Sequence, residues 1–265
     1  MRSLRACWKL LRAVACALSG WRLVRFSFPG FTPQQRAECV QRWARDMLAV
    51  FGIQVVVQGT PPGHGPLLVV INHLSWLDIL AVHAAQHVRF VAKSTIRHWP
   101  VLGLMTTGAG TVYIERERPR DALRVVHHMA EALQEGDLIA VFPEGTTGDG
   151  KELLPFHANL LQAAISAKAP VLPVALRFAE TATGETSFAP SYIGDESLLQ
   201  SVWRTLRAPP LTAFVNFGEP QGPLGRDRRA WSEALREDVA HLHSLTFPLS
   251  RNPIPQKNSA PKGAD

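Results

Sequence analysis

Residues 67–78 read Leu67-Leu68-Val69-Val70-Ile71-Asn72-His73-Leu74-Ser75-Trp76-Leu77-Asp78, an apolar run followed by a polar turn. The first five residues are rich in β-branched side chains, which predicts a strand buried on both faces, as in a parallel sheet. Ser75 is a good helix N-cap, so a helix is expected to follow. His73 then lies on the turn at the carboxyl edge of the sheet, where α/β folds build their sites.

His73 and Asp78 form a pair with the chemistry of a general base and its orienting group. A neutral imidazole takes a proton from a hydroxyl when a carboxylate holds its other nitrogen and stabilises the resulting cation. No serine or cysteine in a familiar nucleophile setting accompanies the pair, so the substrate's own hydroxyl is the expected nucleophile. The alternative is structural: Ser75 and Asp78 have the spacing of a capping box, which would make Asp78 only a cap.

Three further blocks repeat the pattern of an apolar run that ends in polar residues. They are Gly110-Thr111-Val112-Tyr113-Ile114-Glu115-Arg116, the run 138–141 with Phe142-Pro143-Glu144-Gly145-Thr146-Thr147, and Val171-Leu172-Pro173-Val174. Strands that alternate with helical segments predict an α/β fold with a largely parallel central sheet flanked by helices.

The pattern along the chain also gives expected elements and boundaries. Strands are predicted at 53–58, 67–71, 88–92, 111–115, 137–142, 170–178 and 211–217. Helices are predicted at 32–51, 76–86, 95–99, 120–134, 157–167 and 226–242. We expect an N-terminal helical membrane-anchoring segment at 1–50, a catalytic α/β domain at 51–247 and a loose tail at 248–265.

The four ordered blocks resemble those of the glycerolipid acyltransferases, above all the bacterial 1-acylglycerol-3-phosphate acyltransferases and the lyso-ornithine lipid acyltransferases. That family shares the blocks N-H-x-S-x-x-D, G-x-x-[FY]-[IV]-[DE]-R, F-P-E-G-T and [VI]-[VIL]-P-V. The segments Phe90-Val91-Ala92-Lys93-Ser94 and Trp99-Pro100-Val101-Leu102-Gly103 are also similar, so the resemblance extends from about Gln54 to Phe217. It implies transfer of an acyl group from a thioester to a lysolipid hydroxyl, without metal or resident cofactor.

The resemblance also implies roles for individual residues. His73 is the base and Asp78 its orienting partner, while Arg116, Glu144, Gly145 and Thr146 bind the acceptor. The permanently charged, forked guanidinium of Arg116 suits a phosphate. Two alternatives stay open: Arg116 forms a surface ion pair with Glu115 or Glu117, or Glu144 makes a buried structural hydrogen bond.

The chain departs from the family at one position. Many relatives continue F-P-E-G-T with an arginine, a second cation for the phosphate, but Thr147 stands there. The candidate replacements are Lys93, Arg118, Arg120 and Lys151. The departure leaves two acceptors open, 1-acylglycerol-3-phosphate and a zwitterionic lyso-ornithine lipid, and the donor is either acyl-CoA or acyl-carrier protein. A non-catalytic lipid-binding protein is the alternative from another class.

The basic excess of the chain lies at its N-terminus. Seven of the 28 basic residues precede the first acidic residue, Glu38, so the rest of the chain is close to neutral. Residues 2, 5, 9 and 12 share one helical face, and Leu4, Trp8, Leu11, Ala15 and Leu18 share another. This pattern favours a helix that lies in a membrane interface with its cations toward anionic head groups.

Other interpretations of the N-terminal segment are a signal peptide, a short transmembrane helix, and a core helix or nucleic-acid arm. With interfacial anchoring, we expect a peripheral or monotopic protein on the cytoplasmic face of the inner membrane that contacts membrane lipids and no nucleic acid. The odd number of cysteines, Cys7, Cys16 and Cys39, indicates free thiols in a reducing compartment. His83 and His87 have zincin spacing but lack its glutamate, so no metal is expected.

Overall fold

The computed structural model describes residues 2–114 and 119–245. Seven strands form one sheet: β1 Ile53–Gln58, β2 Leu67–Ile71, β3 Arg89–Lys93, β4 Val112–Ile114, β5 Leu138–Val141, β6 Val171–Glu180 and β7 Leu211–Phe217. The α-helices are α1 Arg2–Arg22, α2 Pro33–Phe51, α3 Leu77–Ala85, α4 Leu102–Gly108, α5 Pro119–Gln134, α6 Leu161–Ala167, α7 Leu198–Arg207 and α8 Arg228–Ser244.

The sheet has the strand order β1-β7-β6-β2-β5-β3-β4. All neighbouring strands are parallel except β6 and β7, which pair antiparallel. The prediction of an α/β fold with a largely parallel sheet is therefore confirmed. β2 lies in the middle, so the turn that carries His73 leaves the sheet between β5 and β6.

β2 joins two hydrophobic layers. All five of its side chains are buried, and they alternate between the two faces of the sheet. Leu67, Val69 and Ile71 pack in one cluster with residues of α1, α2, α3 and α7. Leu68 and Val70 pack in the other with residues of α5, α6 and α8. Because both faces of β2 are covered by packed side chains, the strand is rigidly held, and so is the start of the turn that follows it.

Several predicted elements differ in detail from the observed ones. The short helix predicted at 95–99 is a 3₁₀ turn, Ser94–His98, and the helix predicted at 157–167 begins with another, Ala158–Leu160. Two helices were not predicted, α4 and α7. α4 contains two glycines, which are poor helix formers. Glycine is nevertheless needed at position 103, because a Cβ atom there would lie 2.1 Å from the carbonyl oxygen of Arg97.

The N-terminal helices pack against the rest of the chain. Thr32 and Gln35 form a capping box at the start of α2, which ends at Gly52 in the left-handed conformation. α1 lies against α2, α7 and α4, and it contributes the buried side chains of Ala6 and Ala13. The predicted boundary near residue 50 thus falls inside one hydrophobic cluster.

One cation on α1 points away from the predicted head-group face. Lys9 donates a hydrogen bond from Nζ to the carbonyl oxygen of Phe51, 2.9 Å away at the end of α2. Cations favour this end of a helix because its last carbonyls lack partners, and burial lowers the pKa of Lys9. Lys9 is therefore engaged with α2 and no longer counts among the four cations predicted to face lipid head groups. Across residues 2–114 and 119–245, we find no helix whose length and hydropathy suit a membrane crossing.

Candidate active site

His73 and Asp78 form the hydrogen-bonded pair expected from their spacing. His73 Nδ1 lies 2.8 Å from Asp78 Oδ2. Asp78 is completely buried, whereas the His73 side chain keeps 19% of its surface exposed. An ionised carboxylate only accepts hydrogen bonds, so Nδ1 carries the proton in the neutral ring and Nε2 is left as the basic atom.

Asp78 also holds the turn on which His73 lies. The same Oδ2 accepts from the backbone N–H groups of Leu74, at 2.6 Å, and Ser75, at 2.8 Å. The Ser75 hydroxyl in turn accepts from the backbone N–H of Leu77. Half of the predicted capping box is thus present, although α3 itself begins at Leu77 and Trp76 occupies its N-cap position. The carboxylate that holds this turn also holds the imidazole, so the structural and the catalytic interpretations of Asp78 do not exclude each other.

The His73 ring stacks on one aromatic side chain, which comes from the F-P-E-G-T block. Phe142 stacks on it with ring centroids 3.8 Å apart and planes 9° apart. Phe90, in β3, stacks in turn on Phe142 at 5.4 Å. Rotation of the imidazole about its second torsion angle would break this stack, so Phe142 and Asp78 fix the ring from two directions.

Glu144 joins the first and third blocks. Its Oε1 accepts from the backbone N–H of His73 at 2.7 Å, and its Oε2 accepts from the backbone N–H of Leu154 at 3.1 Å. The side chain is 5% exposed. Burial is the largest influence on its pKa and raises it, while the two N–H donors act in the opposite direction. Glu144 therefore supports the backbone of His73.

Glu144 is followed by a tight turn. Gly145 adopts a left-handed φ of 72°, and a side chain there would meet His157 at 2.9 Å. Thr146 is exposed. Thr147, in the position where many relatives have arginine, donates its hydroxyl hydrogen bond to the carbonyl oxygen of Tyr192. Thr147 is therefore engaged with another loop.

The candidate cations divide between described and undescribed parts of the chain. Lys93 ends β3 with its side chain exposed, at the same sheet edge as His73 because β3 and β2 run in the same direction. Lys151 is also exposed. Arg116 and Arg118 lie outside the described residues, as do Glu115 and Glu117. The assignment of Arg116, and of Arg120 as a replacement, stays a prediction.

The loop between β6 and α7 borders the site, and the sequence pattern did not predict this. The Tyr192 backbone N–H donates to the Leu74 carbonyl oxygen at 3.0 Å. Arg204 of α7 holds the loop by donating to the carbonyl oxygens of Ala189 and Ser191. No local pattern marks these contacts. The Ser197/Gln200 capping box is a sequence signal that identifies α7 itself.

His83 and His87 form a pair in the interior of the protein. Their rings stack at 5.4 Å, and the His83 ring meets Phe90 edge-on at 5.2 Å. Burial, with a smaller contribution from the neighbouring His87, lowers the pKa of His83 to about 3. His83 is thus a neutral core residue. No group of three or more metal-ligating side chains occurs within the described ranges.

Comparisons with known proteins place these blocks in a wider context. A family model described as acyltransferase matches residues 52–177. A 1-acyl-sn-glycerol-3-phosphate acyltransferase of Neisseria meningitidis is 42% identical over 212 residues, which cover 79% of this chain and 82% of that relative. A lyso-ornithine lipid O-acyltransferase of Pseudomonas aeruginosa is 34% identical over 231 residues, 86% of this chain and 88% of that relative.

Solved structures include one with a similar fold. The crystal structure of the 1-acyl-sn-glycerophosphate acyltransferase from Thermotoga maritima matches with a TM-score of 0.67 and 21% sequence identity. The match covers 94% of this chain and 100% of that one. At this identity the likeness concerns the fold.

Proposed function

The chain belongs to the acyltransferase family, and from that premise we propose that it transfers a fatty acyl group from a thioester to the free hydroxyl of a lysophospholipid. The observation that carries the proposal is the His73–Asp78 hydrogen bond at the carboxyl edge of the sheet. It leaves one basic nitrogen on a side chain that is fixed but partly exposed.

The arrangement supports direct transfer. His73 Nε2 removes the proton of the acceptor hydroxyl as its oxygen attacks the thioester carbonyl carbon. The new C–O bond forms, the C–S bond of the tetrahedral intermediate breaks, and the thiolate takes the proton from the imidazolium. Asp78 stabilises the imidazolium between these two events. No acyl-enzyme and no resident cofactor take part, and the thioester is acyl-CoA or acyl-carrier protein.

The proposed acceptor is 1-acyl-sn-glycerol-3-phosphate, giving phosphatidic acid. The relative with 42% identity that carries this name supports it. Arg116 and Lys93 are proposed to bind the phosphate, with Gly145, Thr146 and Glu144 shaping the acceptor side of the site. A lyso-ornithine lipid is the second candidate. Thr147 favours it, because that position lacks the second cation found in many relatives, and so does the relative from Pseudomonas aeruginosa.

We place the protein on the cytoplasmic face of the inner membrane. The support comes from α1, where Leu4, Trp8 and Leu11 are 76%, 63% and 64% exposed. Arg5 and Arg12 on the same helix are also exposed. A helix with large apolar side chains and cations on its free surface suits the interface of a bilayer with anionic lipids.

The test is an assay of membranes that contain the protein, with labelled acyl donor and a panel of lysolipids that includes both candidate acceptors. We expect acylation of 1-acylglycerol-3-phosphate, and His73→Ala should lower turnover by about 10²–10⁴-fold, the usual loss for a general base. His64→Ala is the matched control, because His64 is exposed on the loop before β2, at the opposite end of that strand.

The outcomes separate the candidates. Acylation of lyso-ornithine lipid alone would change the acceptor and keep the mechanism. Full activity of His73→Ala would refute the mechanism. Binding of lysolipid without turnover by the wild type would favour the non-catalytic lipid-binding protein.

A further inference from the structure

Asn72 lies between β2 and His73, and its side chain is completely buried. Its Nδ2 donates a hydrogen bond to the backbone carbonyl oxygen of Leu176, 2.9 Å away, and its Oδ1 accepts from the backbone N–H of the same residue at 2.7 Å. Leu176 lies in β6, 104 residues further along the chain. One carboxamide group is thus paired through both of its polar atoms with a single residue of the neighbouring strand.

The carboxamide of Asn72 continues the ladder between β2 and β6. The last pair in that ladder is Ile71 opposite Val174. Val171 directs its backbone groups to the opposite side of β6, toward the segment after β7. Successive residues of a strand alternate in this respect, so Leu176 follows Val174 as the next residue that faces β2. Because a side-chain amide carries the same kinds of donor and acceptor as a peptide group, the carboxamide takes the place of a further peptide of β2.

The backbone of His73 is thereby released from β6. Its N–H donates to Glu144 Oε1 at 2.7 Å, and its carbonyl oxygen accepts from the N–H of Gly148 at 2.8 Å. Both backbone groups of the histidine are therefore bonded to the segment that follows β5, which lies on the other side of β2 from β6. The chain leaves β6 at Asn72 without leaving the buried backbone groups of Leu176 unpaired, which would be costly.

The fourth sequence block, residues 171–174, leads directly to this contact. Val171 packs in one hydrophobic layer of the sheet, and Leu172 and Val174 pack in the other. The block starts β6, which is paired with β2 on one side and with β7 on the other. Leu176 follows the block by two residues in the same strand. β6 therefore presents the backbone of Leu176 to Asn72 from a fixed position.

We propose that Asn72 is a positioning residue for the base, because its carboxamide fixes the point at which His73 leaves the sheet; the proposal rests on the proposed acyl transfer. The fourth block acts through the same contact, since it places the Leu176 backbone to which the carboxamide is bonded. Asp78 and Phe142 set the orientation of the ring, whereas Asn72 sets the position of the backbone that carries it. A displacement of about 1 Å in such a group can lower turnover about 10²-fold.

Steady-state kinetics of Asn72→Ala test the proposal. Loss of the carboxamide should lower kcat about 10²-fold with little change in the KM of lysolipid or thioester, because this buried side chain does not touch the substrates. Asn216→Ala is the matched control, because Asn216 is also buried and its Nδ2 donates to the carbonyl oxygen of Leu242 in α8 at 2.9 Å. Both variants should lose thermal stability, but Asn216→Ala should keep the wild-type kcat.

Asn72→Asp provides a rescue that depends on pH. A protonated carboxyl group has a donor and an acceptor, as the amide has, whereas an ionised one lacks the donor. The kcat of this variant should therefore exceed that of Asn72→Ala, and its ratio to the wild-type kcat should rise as the pH falls.

Several kinetic outcomes would overturn the proposal. They are wild-type kcat in folded Asn72→Ala, an equal loss of kcat in Asn216→Ala, and a kcat ratio for Asn72→Asp that is constant with pH. The last of these measurements decides where Asn72→Ala does not fold. Failure of both Asn72 variants to fold would overturn the proposal as well, because it would assign Asn72 to the fold as a whole.

A proton NMR measurement, which needs no turnover, separates failure of this proposal from failure of the proposed function. The proton between His73 Nδ1 and Asp78 should give a low-field resonance that is absent in His73→Ala. We expect this resonance in the wild type and in Asn216→Ala, and we expect it to shift or disappear in Asn72→Ala. An unchanged resonance in folded Asn72→Ala would show that the proposal is wrong even where the wild type is an active acyltransferase. A wild type that shows the resonance and its dependence on Asn72, but transfers no acyl group, would instead refute the proposed function.

Discussion

At the scale of single residues, Asp78 links the chemistry of His73 to the fold of the turn. One oxygen accepts three hydrogen bonds, two from backbone N–H groups and one from the imidazole. Its other oxygen, Oδ1, is buried without a partner among the described residues. The carboxylate is thus directed toward the turn and the ring, the two places where the proposed function requires it.

Substitution of Asp78 should therefore separate geometry from charge. Asp78→Asn keeps an oxygen that accepts from the backbone and the ring, so the turn should persist while turnover falls because the imidazolium loses its counter-charge. Asp78→Ala removes the acceptor and leaves two buried N–H groups unpaired, at about 1–3 kcal/mol each. Thermal unfolding and kcat, measured together, should show Asp78→Asn as inactive but stable and Asp78→Ala as also destabilised. Equal stability of Asp78→Ala and wild type would contradict this account.

At the scale of elements, α3 begins beside the His73–Asp78 pair and carries the buried side chain of His83. The depressed pKa of His83, about 3, has a consequence for stability. Between pH 6.5 and 3 the unfolded chain binds a proton at this residue and the folded chain does not. Stability from His83 is therefore complete above pH 6.5 and is lost as the pH falls toward 3. Glu144, whose pKa is raised, acts with the opposite sign.

His83→Leu should remove this acid sensitivity. We expect the free energy of unfolding of the wild type to fall, relative to that of the variant, by about 1.4 kcal/mol per pH unit below pH 6.5. Urea unfolding at a series of pH values measures the difference, and other titrating groups cancel in it. His64→Leu, on an exposed loop, is the control and should keep the wild-type dependence. Parallel curves for wild type and His83→Leu would show that His83 is not a buried neutral residue.

The sequence predicted those elements best whose local pattern agrees with their place in the fold. β2, β6 and β7 are dense apolar runs, and their observed bounds agree with the predicted ones within two residues. α4 was missed because its glycines serve close packing, Gly103 against Arg97 and Gly108 against Val24, which no local propensity reports. The antiparallel pairing of β6 with β7 depends on the course of the chain between them, through α7.

The candidate site shows the same division. His73 and Asp78 were predictable because the pair is local, five residues apart on one turn. The contact of Glu144 with the His73 backbone spans 71 residues, and the stack of Phe142 on His73 is similarly distant. Such long-range sets follow from topology, which the sequence indicates only coarsely.

At the scale of the whole molecule, the two layers of the sheet differ in what they present to the surroundings. α1, on the layer with α2, α3 and α7, exposes Trp8 and Leu11. It contacts α7, whose Leu199 is 77% exposed, and α4, whose neighbour Trp99 is 50% exposed. Because these helices are in contact, we expect their exposed apolar side chains to form one apolar surface, which we call the α1 surface.

The α1 surface reaches the neighbourhood of the candidate site. Trp76, three residues after His73, donates a hydrogen bond from its indole to the hydroxyl of Ser201 in α7, 3.2 Å away. A bilayer that contacts α1 and α7 would therefore lie beside the His73 turn. Under the proposed function, a lysolipid would then need only a short movement out of the bilayer to bring its hydroxyl to His73, whereas the thioester would arrive from water.

Serine substitutions on the α1 surface test this orientation with little disturbance of the core. Deleting residues 1–27 is a less selective test, because it would uncover the side of α2 that carries the buried residues Ala44 and Met47. Trp8 and Leu11, in contrast, are already largely exposed. Burial of such a side chain contributes about 1.5–3 kcal/mol, so Trp8→Ser and Leu11→Ser should each weaken binding to vesicles of phosphatidylglycerol and phosphatidylcholine about tenfold or more. Leu123→Ser is the matched control, because Leu123 is 76% exposed on α5, in the opposite layer.

Co-sedimentation with vesicles measures the binding, and an assay on lysolipid dispersed in detergent measures the site separately. Activity in detergent should stay near that of the wild type, because the substituted side chains lie outside the core. Added salt should release part of the wild-type protein, since the attraction of Arg5 and Arg12 to head groups is screened within about 10 Å at 0.1 M, while the apolar contribution persists. An equal loss of vesicle binding in Leu123→Ser, or none in Trp8→Ser, would move the membrane contact away from the α1 surface.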